Sequence, residues 1–413
     1  MKIVYLAPEI PALSATFVYN EILILKDMGV DVLPVSIHRP KSPATDSHLT
    51  SLKQQTFYLY EQALLLALWK HVPLMLRHPV HYIQSAMKLL MDLSGQRFKP
   101  RQSAARLYQF LYAGLLAHYL SQHKAEHIHV HFAHVPTDIA MYTASFLGIG
   151  YSVTSHANDL FERASLIKQK VARSAFFATI SKYNIDFLTA CGVDTHKLKI
   201  IRCGVDDRQF TSVRSRTDTR IRHFGTVGRL VEKKGIDTLI EAFATVAQRY
   251  PDSRLSIAGD GPLRMELERQ VSGLNISDKV HFLGALAHHQ IPGFLTDLDT
   301  FVLPCKKDRN GDMDGIPVVL MEAMMNGLPV VSTRISGIPE LVIDHQTGLL
   351  VSPDHPAELA AVLLHLIETP DIRETLTTSA ITHIQSHFSL LINAGKLKQL
   401  FEDTVHDRYK DGK

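Results

Sequence analysis

The 413-residue chain has few cysteines and no long apolar run. Its three cysteines, Cys191, Cys203 and Cys305, are odd in number and lack the close spacing of a zinc site, which argues against a disulfide framework and favours a reducing, cytoplasmic location. No stretch of about 18 uncharged apolar residues occurs, so no transmembrane helix is expected. The opening MKIVYLAPEIPALS predicts a buried first strand rather than a secretory signal, because Glu9 directly follows its short apolar run.

The composition is that of an ordinary globular protein. Hydrophobic residues make up 46% of the chain and charged residues 21%, a balance that excludes a wholly disordered chain. With 22 glycines and 19 prolines, the chain is too poor in both for a collagen or a linker protein. Since domains cluster near about 100–200 residues, the length predicts two of them.

Positive charge is concentrated in the first half. Residues 1–205 have a net charge of +8 and the remainder −5, which together give the overall +3. Residues 53–106 hold eight basic side chains and only Glu61 and Asp92 as acidic ones, together with the apolar runs 63–69, 72–75 and 87–93. This combination suits a peripheral contact with an anionic membrane surface, and equally two core-packed helices with a solvated basic face. No nucleic-acid partner is expected, since the pI of about 8.6 is modest and no binding motif is present.

Short β-rich runs alternate with helical patterns throughout the chain. The predicted strands fall into two series, at 2–7, 30–37, 127–133, 151–157, 176–181 and 199–204, and then at 224–230, 255–260, 280–284, 300–304 and 329–333. This rhythm predicts an α/β protein with two doubly wound parallel sheets. We expect domains at 1–205 and 206–385, a carboxyl-terminal helix within 386–413 that returns to the first domain, and ligands in a central cleft between the domains.

The densest group of chemically active residues lies at 312–340. Asp314 precedes Gly315 and Ile316, and Pro317 suits the first turn of a helix whose free N–H groups can hold an anion. Glu322 follows two turns later, so the two carboxylates can accept hydrogen bonds from hydroxyl groups on two parts of one ligand.

A second group follows the strand predicted at 224–230. Gly228 allows close approach of the backbone, and Arg229 and Lys234 supply two cations. Such a pair can neutralise a diphosphate leaving group, although a solvated loop has the same composition.

These motifs resemble those of family 4 retaining glycosyltransferases. The resemblance rests on DGIPVVLMEAMMNGLPVVSTRISGIPE at 314–340, GRLVEKKG at 228–235, AGDGPLR at 258–264, CGVD at 203–206 and SHANDLF at 155–161. The segment YLAPEIPALSATFVYNEILIL at 5–25 resembles the colanic-acid or exopolysaccharide branch more narrowly. It implies the GT-B fold, with two Rossmann-like domains, of which residues 1–205 would bind the acceptor and residues 206–385 the nucleotide-sugar. It further implies no cofactor and no obligatory metal, with a nucleotide-sugar as substrate.

The resemblance also implies roles for individual residues. Glu322 would bind the ribose hydroxyls, and Asp314 would hold the donor sugar together with the backbone of Gly315, Ile316, Pro317 and Val318. Arg229 and Lys234 would bind the diphosphate beside Gly228. His156 would face the transferred sugar. Two positions depart from the family pattern. Asp314 replaces the usual Glu, and residues 11–17 lack paired glycines, so that contacts there must come from Ser14, Thr16 or the backbone.

Four histidines near residue 130 invite a second interpretation. His127, His129 and His131 would share one face of a strand and His134 follows, a pattern feasible for zinc, but no further ligand can be identified. We expect them to line the cleft or to be structural, with His131 the candidate for ligand contact. Asp-x-Asp pairs at 297–299 and 312–314 match a metal-binding spacing without requiring a metal.

The expected function is the retaining transfer of a hexose from a nucleotide-sugar to a polysaccharide repeat unit on a lipid-pyrophosphate carrier. The alternative is a nucleotide-sugar-binding scaffold protein without transfer. A nicotinamide dehydrogenase is disfavoured, because GDGPLR at 259–264 lacks the third glycine of a dinucleotide fingerprint.

Overall fold

The computed structural model describes residues 1–12, 15–40, 47–94, 100–206, 208 and 221–411. The chain divides into two compact units. The amino-terminal domain comprises Met1–Ile180, Asn184–Ile201 and Ala394–Lys413, and the carboxyl-terminal domain comprises Ser181–Tyr183 and Arg202–Asn393. The sequence placed these divisions at 205/206 and 385/386.

The amino-terminal domain contains a seven-stranded sheet of order β3-β2-β1-β4-β5-β6-β7. Its strands pair in parallel. They are β1 (Lys2–Glu9), β2 (Asp31–His38), β3 (Phe57–Tyr58), β4 (His127–His131), β5 (Gly150–Ser155), β6 (Phe177–Thr179) and β7 (Leu198–Ile200). The helices in this part of the sequence are α1 (Thr16–Asp27), α2 (Ser47–Gln55), α3 (Leu64–Trp69), α4 (His71–Arg77), α5 (Pro79–Ser94), α6 (Pro100–His123), α7 (Val135–Leu147), α8 (Asn158–Phe161), α9 (Ile167–Arg173) and α10 (Lys182–Ala190).

The carboxyl-terminal domain contains a six-stranded sheet of order β10-β9-β8-β11-β12-β13, again paired in parallel. Its strands are β8 (His223–Val227), β9 (Arg254–Ala258), β10 (Val280–Gly284), β11 (Thr300–Leu303), β12 (Val330–Thr333) and β13 (Leu349–Val351). The remaining helices are α11 (Ile236–Arg249), α12 (Arg264–Gly273), α13 (Ile291–Thr296), α14 (Val318–Met325), α15 (Ile338–Leu341), α16 (Pro356–Glu368), α17 (Ile372–His387) and α18 (Leu390–Asp411).

Alternation of side chains along β11 explains why this sheet is covered on both faces. Phe301 and Leu303 join one hydrophobic cluster, whereas Val302, between them, joins the other. Successive side chains of a strand point to opposite faces, so a continuous apolar run requires a layer of helices on each side. The predicted fold class, a pair of doubly wound α/β domains, is confirmed.

Each strand predicted from the sequence is present, with small changes at the ends. The edge strands β3 and β13, with two and three residues, were not predicted from the sequence. The prediction that Pro317 lies inside the first turn of its helix was wrong by one position. Pro317 is the N-cap residue with an extended ψ of 124°, and α14 begins at Val318.

Candidate active site

The predicted donor-binding residues lie in loops at one edge of the carboxyl-terminal sheet. β8 and β11 are neighbours, and the strand order reverses between them, since β9 and β10 lie beyond β8 while β12 and β13 lie beyond β11. Ligands of open α/β sheets bind beyond the carboxyl ends of the strands at this reversal point. The loop after β8 holds Gly228, Arg229 and Lys234, and the loop after β11 holds Asp314.

Gly235 fixes the loop that follows β8. Its φ is +64°, and a Cβ atom there would lie 1.9 Å from the carbonyl oxygen of Pro304, at the end of β11. Only glycine fits this left-handed, close-packed position without strain. The short 3-10 turn Glu232–Lys234 is thereby held against β11, and it brings Lys234 to the second loop.

Two lysines and two aspartates meet where these loops approach each other. The Nζ atom of Lys234 lies 2.7 Å from Asp314 Oδ2. Lys233 Nζ lies 2.7 Å from Asp312 Oδ2 and 3.5 Å from Asp314 Oδ1. The thiol of Cys305 donates to Asp314 Oδ2 over 3.4 Å. The sequence had placed Lys234 and Asp314 on the same ligand, and here the two side chains bind each other.

Charge compensation keeps Asp314 and Lys234 ionised. Burial disfavours the charged form of Asp314, but Lys234 and Lys233 outweigh it and lower the pKa of this carboxyl. Burial likewise opposes the charge of Lys234, but Asp314 outweighs it and raises the pKa of the ammonium. Burial and the nearby Asp314 raise the pKa of the Cys305 thiol well above its usual value, so this cysteine is a neutral donor. Arg229, by contrast, is exposed and has no ion-pair partner among the described residues.

Helix α14 presents the second carboxylate of the motif. Gly315, Ile316 and Pro317 are buried and lead into the helix, whose first residue is Val318. Glu322 Oε1 lies 3.3 Å from Nε2 of His288, and this hydrogen bond raises the pKa of the imidazole. His288 follows β10, and the sequence offered no signal for it, because only the folded sheet brings it beside α14.

A buried polar network occupies the amino-terminal domain. Tyr5 donates to Glu21 Oε1 over 2.6 Å, and the same oxygen lies 2.9 Å from Nε2 of His131. His131 Nδ1 in turn lies 3.1 Å from Nε2 of His156. Here the structure brings together His131 and His156, two of the predicted site residues, in one chain of hydrogen bonds that ends at Glu21.

His156 is held in a neutral state by its surroundings. Its ring centroid lies 4.5 Å from that of Phe17 and 4.7 Å from that of Phe132. Burial, with the neighbouring His131 and His134, lowers the pKa of His156 well below its usual value. The backbone N–H of His156 donates to the carboxylate of Asp159. Burial of Asp159 raises the pKa of this carboxyl to about 6. A neutral imidazole can donate or accept one hydrogen bond to a sugar hydroxyl.

The histidines of β4 have the spacing of metal ligands but are also fully hydrogen-bonded. Ligand atoms of Glu21, His129 and His131 lie within 4.8 Å of one another. His129 Nδ1 is 2.8 Å from Ser152 Oγ, and its Nε2 is 3.1 Å from Thr154 Oγ1. Together with the partners of His131, these bonds account for every ring nitrogen of the pair. These hydrogen bonds give His129 and His131 a structural role, one of the two roles, cleft-lining or structural, predicted from the sequence.

Of the two remaining predicted site residues, only Thr16 is among the described residues. Thr16 is the first residue of that helix and is half-buried. Ser14 lies outside the described residues. His131 is only 1% exposed, so its polar contacts are the protein groups named above.

Helices α3, α4 and α5 expose an unusual amount of apolar surface. Their outward-facing side chains are Leu64, Leu65, Leu66, Leu68, Trp69, Val72, Met75, Leu76, Val80, Ile83, Met87, Leu90 and Met91, named here the apolar face. The inner side of α5 is both apolar and polar. Leu89 joins the hydrophobic core, whereas buried Asp92 forms a salt bridge with Arg173 and accepts a hydrogen bond from Tyr142, and Ser85 donates a hydrogen bond to Ser145. Across the described residues, no helix is long and apolar enough to cross a membrane.

Comparison with known proteins agrees with the geometry. Residues 207–383 match the family described as Glycosyl transferases group 1. Over the whole chain, Anabaena Alr3699/HepE, solved in complex with UDP and glucose, superimposes with a TM-score of 0.72 at 18% identity, covering 98% of this chain and 100% of that one. The fold is thus that of the GT-B class.

Two relatives are similar to this chain over most of its length. The chain is 28% identical to the amylovoran biosynthesis glycosyltransferase AmsK of Erwinia amylovora, covering 97% of this chain and 99% of that protein. It is also 28% identical to the putative colanic acid biosynthesis glycosyltransferase WcaL of Escherichia coli K12, covering 91% and 92%.

Proposed function

We propose that this protein transfers a hexose from a nucleotide-sugar to a lipid-linked oligosaccharide during the synthesis of an exopolysaccharide. The observation that carries the proposal is the Lys233, Lys234, Asp312 and Asp314 cluster at the reversal point of the carboxyl-terminal sheet. The similarity to AmsK and WcaL, which are named for polysaccharide biosynthesis, supports the class of product. HepE, solved with UDP and glucose, supports the class of donor.

In the proposed reaction the donor's diphosphate takes the place of Asp314 as partner of the lysines. Lys234 and Arg229 stabilise the negative charge that develops on the leaving diphosphate, which removes the need for a metal ion or another cofactor. Asp314, released from Lys234, accepts hydrogen bonds from hydroxyls of the donor sugar, aided by the backbone between Gly315 and Val318. Glu322 accepts hydrogen bonds from the ribose.

Retention of configuration follows from attack on the same face as departure. The acceptor hydroxyl oxygen forms the new bond to the anomeric carbon while the bond to the diphosphate oxygen breaks, and that phosphate oxygen takes the hydroxyl proton. No pair of protein carboxylates is required for this route, unlike double displacement. His156 is assigned to the transferred sugar on the family resemblance, and its neutral ring suits a hydroxyl partner.

The lipid-linked acceptor is proposed to meet the protein at the cytoplasmic surface of a membrane. In this proposal the apolar face contacts the hydrocarbon of the membrane. Basic residues lie nearby in the sequence: Lys70 lies between α3 and α4, Arg77 is the last residue of α4, and Arg101 lies at the start of α6. Basic residues near anionic lipid contribute about 1 kcal/mol each, in addition to the burial of apolar side chains.

Donor binding by a variant of Lys234 tests the proposal. Binding of UDP-, GDP- or ADP-sugars raises the unfolding temperature, because a ligand at 100 times its dissociation constant adds about 2.7 kcal/mol. We expect one donor to raise the unfolding temperature more than the others. Lys234→Met should lower the affinity for that donor about tenfold or more, because a charged hydrogen bond is worth about 1.5–3 kcal/mol. Lys234→Arg should retain part of the affinity. Lys307→Met, an exposed cation of the loop after β11, is the matched control.

Turnover distinguishes the enzyme from the scaffold alternative. Release of nucleoside diphosphate together with transfer of the sugar supports the proposal. Saturable binding without any release would favour a nucleotide-sugar-binding scaffold. No stabilisation by any donor, or a full effect of Lys307→Met with none of Lys234→Met, would overturn the assignment of the site.

A further inference from the structure

His288 is a polar side chain beside Glu322 that has no part in the reaction proposed above. It follows β10 and begins the short 3-10 turn His288–Gln290. Its Nε2 atom lies 3.3 Å from Oε1 of Glu322, the residue proposed to bind the ribose hydroxyls. The side chain of His288 is 38% exposed and that of Glu322 is 14% exposed, so a ligand can reach both.

The packing of the carboxyl-terminal domain fixes this turn beside α14. Helices α13 and α14 share one hydrophobic cluster, to which they contribute Ile291, Leu295, Leu320 and Met321. Within the turn, Oε1 of Gln290 accepts a hydrogen bond from the backbone N–H of Ala287 over 2.9 Å. None of these contacts uses the imidazole of His288. Replacing this imidazole should therefore leave the turn in place.

The carboxylate of Glu322 is only partly used by the protein. Its Oε1 atom bonds His288, and its Oε2 atom has no hydrogen-bond partner among the described residues. Because an ionised carboxylate only accepts, the Nε2 atom of His288 carries the hydrogen of this bond. The hydrogen bond raises the pKa of the imidazole against the opposing effect of burial. A carboxylate has about four lone-pair sites, so most of its capacity remains for the hydroxyls of a ligand.

Holding the carboxylate in place favours a ligand that bonds it. A free glutamate side chain has several rotamers, and it loses this freedom when a ligand orders it. A side chain that the protein already holds has less freedom to lose, so less of the binding free energy is spent on ordering it. This gain applies only to a ligand that has hydroxyls to donate to Glu322.

We infer that His288 is a positioning residue that holds Glu322 ready for the ribose of the donor and so increases the selectivity for nucleotides with intact ribose hydroxyls. The inference rests on the proposed function and adds to it a specificity determinant for the nucleoside half of the donor. His288 acts through Glu322 and needs no contact of its own with the ligand.

Pairs of nucleotides that differ only in the ribose hydroxyls test the inference. UDP, GDP and ADP are each compared with their 2′,3′-dideoxy counterpart by isothermal titration calorimetry. Within a pair the base and the diphosphate are the same, so the ratio of the two dissociation constants reports the hydroxyls alone. The unsubstituted protein should favour the ribonucleotide about tenfold or more in at least one pair, because hydrogen bonds to a carboxylate are strong.

Variants of His288 should change this ratio. His288→Ala should lower it about threefold or more, because Glu322 must then be ordered by the ligand itself. The affinity for the dideoxynucleotide should stay nearly the same. His288→Gln, whose amide can donate to Glu322, should restore most of the ratio. His289→Ala is the matched control, since it removes an exposed imidazole at the next position and should change neither affinity.

A double-mutant cycle shows whether His288 acts through Glu322. In protein that already carries Glu322→Ala, the further change His288→Ala should leave the ratio unchanged, because the partner of the imidazole is gone. A further fall in the ratio in this background would overturn the inference. So would an equal loss of affinity for both members of a pair in His288→Ala, or an unchanged ratio in that variant.

These results are distinct from a failure of the proposed function. If the inference alone is wrong, ribonucleotides still bind and Lys234→Met still weakens the donor, while His288→Ala leaves the ratio as it was. If no nucleotide binds the unsubstituted protein, the proposed function is wrong and this inference is wrong with it.

Discussion

Lys234 shows how one side chain can serve the resting protein and the proposed reaction. A buried ammonium needs a nearby anion, because removing the partner of a buried ion pair costs about 3–5 kcal/mol. In this structure Asp314 is that anion, 2.7 Å away. In the proposed reaction the donor's diphosphate replaces it, so the lysine is compensated in both states and Asp314 becomes available to hydroxyl groups.

His127 gives a prediction at the residue scale. It is buried at the start of β4, with its Nε2 2.7 Å from Ser152 Oγ. Burial, and secondarily the charge of Arg408, lowers the pKa of His127 to about 3. The unfolded chain binds this proton near pH 6.5, so the unfolded state is favoured as the pH falls. The stabilisation from this residue is complete above about pH 6.5 and is lost progressively towards pH 3.

Histidine NMR can check this directly. In protein labelled at its imidazole nitrogens, the resonance that disappears in His127→Gln should keep the neutral form down to about pH 5, as long as the domain stays folded. Glutamine preserves a hydrogen-bonding group near Ser152, so the variant should fold. A midpoint near 6.5 for this resonance would contradict the described burial.

At the scale of elements, the sequence was sufficient for the fold. Alternating buried strands and helices predicted two parallel sheets, and the family resemblance assigned Lys234 and Asp314 to one ligand, two side chains that lie 2.7 Å apart in the structure. The contacts of Cys305 with Asp314 and of His288 with Glu322 were beyond prediction, because they join loops that meet only after folding. The sequence also did not show that the apolar residues of α3–α5 face outward, because the same helical periodicity is typical of an apolar stripe that faces the core and of one that faces lipid.

Vesicle binding through α3–α5 is the prediction for these elements. Trp69 is the only tryptophan of the chain, and 72% of it is exposed within the apolar face. Its fluorescence should shift to shorter wavelength with vesicles of phosphatidylethanolamine and phosphatidylglycerol. Leu65 and Leu76 are 71% and 78% exposed, so they can be replaced without opening the core. Leu65→Gln with Leu76→Gln should weaken binding about tenfold or more, because each buried leucine contributes roughly 1.5–3 kcal/mol.

The other domain supplies the matched control. Met265 is 71% exposed on α12, so Met265→Gln removes a similar apolar side chain away from the apolar face and should leave vesicle binding unchanged. Equal binding by the double variant and the unsubstituted protein would contradict a membrane role. A dimer that forms without lipid and dissociates in the double variant would instead identify a second copy of the chain as the partner of this face.

At the scale of the whole molecule, the last helix belongs to the first domain. Residues from Ala394 onward group with the amino-terminal domain, although the preceding residues belong to the carboxyl-terminal one. Phe401 of α18 is fully buried, and its ring lies 5.0 Å from that of His129 and 6.4 Å from that of Tyr5. Lys398 donates to the carbonyl oxygen of Met28 over 3.0 Å. The amino-terminal domain is thus complete only when the end of the chain is in place.

Phe401→Ala should therefore destabilise one domain selectively. Replacing a buried phenylalanine by alanine costs about 3–5 kcal/mol, and here the cavity would open beside β1 and β4. Hydrogen exchange, measured by mass spectrometry at increasing concentrations of urea, should show a loss of protection in peptides from β1 and β4. The protection of peptides from β8 and β11 should be unchanged. Gln399→Ala, at an exposed position two residues before Phe401, should alter neither set. Equal loss of protection in both domains would show that they unfold as one cooperative unit. Unchanged protection of the β1 peptides would show that α18 does not stabilise the amino-terminal sheet. Because β1 also carries Tyr5, the partner of Glu21, selective opening here should raise exchange throughout the buried network that ends at His156.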